Sequence, residues 1–163
     1  MPDPEETSPA EIRNFVRLQL GLTALFLVIL FALLGGTDSD RPPIWMIVLS
    51  LAIIALGAVL AERAWLRVTP LVPSTPDPGR AALDIYVSQT VRKFVYCEGA
   101  LLVCVILAFA SDRAGWLILI AGIPGLAVLA FETWPTDRNL SLTEAMLDAK
   151  GAKSGLLEGF ETP

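Results

Sequence analysis

The chain has 163 residues, 54% of them hydrophobic and 18% charged, with a net charge of −5. That is too apolar for an average soluble domain, and an acidic balance spread over tails and loops speaks against a nucleic-acid partner. With no histidine and only two cysteines, a zinc, haem or iron–sulfur site has almost nothing to be built from, and no metal or other cofactor is expected.

Residues 1–12 are an acidic leader, with Asp3, Glu5 and Glu6, that ends in Ser8-Pro9-Ala10-Glu11. Ser8 with Glu11 is a capping box and Pro9 suits a first helical turn, so the first helix is expected to start before the membrane. Residues 13–66 read as a transmembrane hairpin with apolar runs at 18–34 and 44–61, near the ~20 residues needed to cross a hydrocarbon core of roughly 30 Å. The first run is read as a retained helix because it exceeds the roughly 7 to 15 residues of a signal-peptide core and follows an acidic leader. Gly35-Gly36 and a polar stretch to Pro43 form the turn between the runs, and Gly57 and Ala61 have small-xxx-small spacing for close helix contact.

Residues 67–81 are a cytoplasmic linker whose prolines, between Thr69 and Gly79, favour extended, semi-rigid geometry. Residues 82–135 read as a second hairpin, with helix from about Ala81 and apolar runs at 94–110 and 114–131. Cys97 and Cys104 are seven residues apart, about 10 Å along a helix, which is beyond the roughly 7 Å reach of a disulfide. Ala121 and Gly125 repeat the small-xxx-small spacing around Pro124, where a kink is expected. In residues 136–163, Ser141 and Glu144 suggest a second capping box. Leu142, Ala145, Met146 and Ala149 follow helical spacing up to Gly151, which predicts a short amphipathic cytoplasmic helix. The last dozen residues, with Leu156, Leu157 and Phe160, read as a mobile tail that orders on contact.

The two hairpins match each other. Arg13-Asn14-Phe15-Val16 is echoed by Arg92-Lys93-Phe94-Val95, and Ser39-Asp40-Arg41 by Ser111-Asp112-Arg113. Val59-Leu60-Ala61 before Trp65 is echoed by Val128-Leu129-Ala130 before Trp134. The expected fold is therefore all-α, a polytopic membrane protein of four transmembrane helices as two tandem parallel hairpin repeats. Trp45 and Trp116 fall at one predicted interface and Trp65 and Trp134 at the other, the pattern of interfacial anchors. With the N-terminus inside, the inner side carries Arg13, Arg17, Arg63, Arg67, Arg80, Arg92, Lys93, Arg138, Lys150 and Lys153, and the outer side only Arg41 and Arg113. Basic loops are retained in the cytoplasm, so both termini are expected there.

Glu98 is the acidic residue set inside an apolar run, and a carboxylate in the membrane is a functional candidate because charge is expensive there. Two roles stand side by side: a structural contact with a basic group such as Arg13, Arg17 or Arg63, or a titrating transport site. Gln19 occupies the equivalent position in the first copy, and a polar pair at one depth suits an interhelical hydrogen bond. The arrangement of Arg92, Glu98-Gly99-Ala100, Phe109 and Trp134-Pro135-Thr136 resembles small uncharacterised bacterial four-helix integral membrane proteins. That resemblance implies a multi-pass membrane fold and brings no activity with it. No nucleophile constellation or phosphate loop is present, so no enzyme is expected. The function expected is that of a non-catalytic accessory or assembly subunit of a bacterial inner-membrane complex. Its partners are the lipid bilayer and other membrane subunits, and a homo-oligomer is compatible with the sequence. The alternative is a small oligomeric transporter or proton-coupled channel using Glu98.

Overall fold

A computed structural model describes residues 8–36, 38, 41–111 and 114–161. The leader residues Asp3, Glu5 and Glu6, and the matched positions Ser39, Asp40, Asp112 and Arg113, lie outside the described residues. The chain is all-helical, with no strand among the described residues. The elements are α1 (Pro9–Leu33), α2 (Ile44–Glu62) continued by the 3-10 segment Arg63–Arg67, α3 (Pro78–Phe109), α4 (Ala114–Thr133), α5 (Asp137–Leu147) and α6 (Leu156–Glu161). Three helical stretches are long and apolar enough to cross a membrane, namely Pro9–Leu33, Ile44–Arg67 and Ala114–Thr133.

Local chemistry sets the boundaries. The Ser8 side chain accepts from Glu11 N at 3.2 Å while the Glu11 carboxylate accepts from Ser8 N at 2.7 Å, so two of the first-turn N–H groups are satisfied reciprocally. α3 starts at Pro78, three residues earlier than expected, because Asp77 caps it by accepting from Arg80 N at 3.1 Å and Pro78 already has helical φ. α4 runs without interruption through Pro124. The expected capping box at Ser141 and Glu144 is instead interior to α5. Pro135 follows the end of α4, and Thr136 then caps α5 by accepting from Asn139 N at 3.2 Å.

α3 and α4 form the central pair of the bundle; α2 packs against both, and α1 lies mainly on α4 with a wider gap to α3. α1 and α2 therefore flank the central pair and do not close on each other as α3 and α4 do. Small residues permit the closest approaches. A Cβ on Gly57 would stand 2.7 Å from Ala100 Cβ and 3.2 Å from Tyr96 O, and one on Gly125 would meet the Leu101 side chain. Ala61 and Ala121 are buried in the same seams.

The core is layered along the bundle. We call proximal the end holding the start of α1 and the end of α4. The distal layer includes Leu27, Met46, Ile54, Leu101, Val105, Leu117 and Ile118; the middle layer holds Val16, Ala61, Phe94, Cys97 and Leu129. A third layer caps the proximal end with Ile12, Val68, Leu71, Ala82, Tyr86, Leu140, Leu147, Leu156 and Phe160. The linker and the C-terminal tail both dock on this layer, and the tail is ordered by that contact. Leu71 N donates to Leu147 O at 2.8 Å, and Arg13 donates to Phe160 O at 2.7 Å. The Tyr86 and Phe160 rings meet edge to face at 5.6 Å. Three apolar side chains of the C-terminal segment (Leu147, Leu156 and Phe160) are removed from water here, enough to order a short segment at ~1.5–3 kcal/mol each. Burial pushes the Tyr86 phenol above its ordinary value, with a Thr90 hydrogen bond acting the other way.

Candidate functional site: two polar contacts inside the bundle

The first contact joins α1 to α3. Gln19 and Thr23 are four residues apart and share one face of α1, so both reach the same carboxylate. Glu98 Oε1 accepts from Gln19 Nε2 at 2.8 Å and from Thr23 Oγ1 at 2.6 Å. Above it a groove of about 230 Å³ opens between the two helices, lined by Leu22, Phe26, Leu27, Leu101, Leu102 and Val105. The basic partners expected for Glu98 are engaged elsewhere or out of reach. Arg13 is tied to Phe160 O and its ring, the Arg17 guanidinium lies 5.7 Å from the Trp134 ring centre, and Arg63 sits at the end of α2, which does not pack on α1. Arg13 and Arg17 precede Thr23 by ten and six residues, about 15 and 9 Å of helix, so their guanidinium groups serve the proximal cap.

The second contact joins α3 to the end of α4, and it is absent from the sequence reading. Lys93 Nζ donates to Glu132 Oε2 at 2.9 Å and to Glu132 O at 3.1 Å, with side chains only 3% and 6% exposed. The Trp65 ring covers the ammonium at 3.9 Å, a desolvated cation–π contact of about 2 kcal/mol. Asn139 Nδ2 donates to the carbonyls of Phe131, Glu132 and Trp134 at 3.0, 3.3 and 2.7 Å, and with Lys93 on Glu132 O and Thr136 N on Trp134 O it satisfies the C-terminal carbonyls of α4. Trp65 is thus buried under the bundle and is not a simple interfacial anchor. Trp45 is exposed, and Trp116 and Trp134 are half-buried. The pair had a signal in the sequence: in an up-down hairpin, the residue just before the ascending run and the one just after the descending run end at the same level. Lys93 is one of the inner-side cations and Glu132 directly follows the apolar run 114–131, so the two place opposite charges at one level.

Chemically, the Lys93–Glu132 contact is enclosed, while the Glu98 contact borders the open groove. Each ionised group meets a partner within the chain, and no group of three or more metal-ligating side chains occurs among the described residues. What the fold defines is an all-α protein with three helices able to span a membrane. No protein family, curated protein or solved structure matches this chain.

Proposed function

We propose that this protein is a non-catalytic accessory or assembly subunit of a bacterial inner-membrane complex, and that it crosses the bilayer four times. In this reading α3 supplies the fourth span through its apolar half, residues 94–109, with both termini cytoplasmic. The observation that carries the subunit reading is the α1–α3 groove. α1 is the least embedded of the candidate spans, with 17% of its apolar window buried against 39% for α4, and beside it an apolar groove opens to the bundle surface. Packing is what associates helices in lipid, so a loosely held helix beside an open groove is a seat for a helix of another subunit. The transporter reading needs a polar route, and the distal layer is apolar.

The tandem repeat is supported by two contacts between equivalent positions. Phe15 and Phe94 meet edge to face at 5.8 Å, and Gln19 meets Glu98 at 2.8 Å, both at a sequence separation of 79. Helices of like direction related by an axis along the membrane normal bring equivalent residues together in this way. The loose first hairpin departs from that symmetry, so any duplication has been reshaped at α1.

The experiment is photo-crosslinking from Leu22 and Leu102, which line the groove, followed by purification in mild detergent and mass spectrometry. A crosslink to a different membrane polypeptide is expected. Crosslinks only between copies of this chain, together with Glu98-dependent proton flux in liposomes, would replace the subunit with the transporter.

A further inference from the structure

A second groove lies at the proximal end, between the 3-10 segment Arg63–Arg67 and α5. Its volume is about 410 Å³, and Trp65, Leu66, Leu142, Ala145 and Met146 form its apolar lining. That volume falls in the roughly 300–1,000 Å³ range of small-molecule sites, whereas the α1–α3 groove, at about 230 Å³, falls below it. α5 has two apolar stripes. Leu140 and Leu147 are buried in the proximal cap, while Leu142 and Met146, one turn apart, are 39% and 38% exposed beside Leu66 at 76%.

We infer that this groove holds an anionic phospholipid, with acyl chain along Leu66, Leu142 and Met146 and phosphate on Arg63. Two observations select that occupant. The first is continuity: the groove wall is the tail of a candidate span, Ile44–Arg67, and α5 begins four residues after the candidate span Ala114–Thr133 ends. The groove is thus placed at the depth where acyl chains give way to headgroups. The second is charge. Glu62 at the rim is matched by Arg138 at 2.8 Å, and Arg67 donates to Tyr96 Oη at 3.3 Å. Among the residues that line the groove Arg63 is the basic one, and its exposed guanidinium has no ion-pair or hydrogen-bond partner among the described residues, so it offers its donors and its positive charge to a phosphate.

The test is lipid binding to the full chain in mild detergent, read by native mass spectrometry and by thermal unfolding. Phosphatidylglycerol, phosphatidylcholine of the same chains and inorganic phosphate are compared. The wild type is expected to prefer phosphatidylglycerol about fivefold, the effect of one basic residue near an anionic headgroup. Arg63→Gln should lose that preference and still bind phosphatidylcholine, Arg63→Lys should keep most of it, and Leu142→Gln with Met146→Gln should weaken both lipids. Arg63 is exposed, so its variants should fold. Equal preference in the wild type and Arg63→Gln overturns the proposal, as does stabilisation by inorganic phosphate equal to that by lipid. A photo-crosslinker at Met146 that captures protein and no lipid in native membranes also overturns it.

Discussion

Separating Lys93 from Glu132 should produce an asymmetric loss of stability, worked from what each partner leaves behind. Both side chains are almost fully buried, so solvent screening is no refuge for either charge. In Glu132→Gln, the Lys93 ammonium keeps the Glu132-position carbonyl at 3.1 Å, a neutral amide oxygen and the Trp65 ring; the loss is about 1.5–3 kcal/mol, the worth of one charged hydrogen bond. In Lys93→Met, the Glu132 carboxylate is stranded with no donor from the ammonium, and breaking a buried pair in this way costs about 3–5 kcal/mol. Replacing both, as Lys93→Met with Glu132→Leu, removes the desolvated charges together and should recover most of that loss. Equilibrium unfolding of the wild type, Lys93→Met, Glu132→Leu and the double variant in mixed detergent micelles closes a double-mutant cycle, with Glu132→Gln measured beside it, and a coupling of at least about 1 kcal/mol is expected. If Lys93→Met costs no more than Glu132→Gln, or if the double variant equals the sum of the singles, the ion pair is not the contact holding α3 to α4 here.

Three further outcomes follow from named contacts. Glu98→Gln keeps an acceptor for Gln19 and Thr23 and should assemble and function nearly as the wild type, whereas Glu98→Leu strands the Gln19 amide, Thr23 retaining Gln19 O at 3.0 Å, and should cost about 1 kcal/mol; abolished proton flux in a normally assembled Glu98→Gln protein would point to transport. Gly57→Val brings methyl groups onto Ala100 Cβ and Tyr96 O and should cost about 1–3 kcal/mol by overpacking. Gly21→Ala meets nothing within 4 Å and should be neutral or better, so equal melting temperatures for the two variants would refute the tight α2–α3 seam. Phe160→Ala removes the ring that anchors α6 on Tyr86. Limited proteolysis should then cut near Gly155 while the bundle stays intact, and unchanged protection of the tail would mean that Leu156 and the backbone hydrogen bonds to Arg13 and Glu144 suffice to hold it.

What the sequence made legible was whatever one helix decides by itself. The Ser8–Glu11 capping box, the apolar runs of α1, α2 and α4, and the small residues at Gly57 and Gly125 are local signals, and each is visible in the packing. The start of α5 was missed because Ser141 and Glu144 match a cap by spacing, while Thr136 has the prior claim from its place directly after Pro135. The docked tail was missed because Leu156 and Phe160 bury against Ile12, Tyr86 and Leu140, which are distant in sequence. At the candidate site, the Gln19–Glu98 contact was legible from equal positions in the two copies. The Lys93–Glu132 pair had only the signal of equal level in an up-down hairpin, and Thr23 and the Trp65 cover had none, because they depend on how separate chain segments converge.

The distribution of polarity inside the bundle bears directly on what one copy of this chain can do. Among the described residues, every buried polar or charged residue other than Ser50 belongs to the proximal end: Gln89, Thr90, Lys93, Glu132, Thr133, Asn139, Thr143 and Ser154. Ser50 sits alone in α2, with its backbone carbonyl accepting from the Cys104 thiol at 3.6 Å. A proton or ion leaving Glu98 toward the distal end would meet Leu27, Leu101, Val105, Leu117 and Ile118, with no chain of donors and acceptors to replace water. Since an unsolvated charge in hydrocarbon is costly, conduction through a single bundle is disfavoured by its own core. The open α1–α3 groove is then the feature a partner can use, and a Leu102→Trp substitution that fills it tests whether a helix seats there. It should abolish capture of a partner subunit if the groove seats another helix, and leave capture intact if the groove faces only lipid.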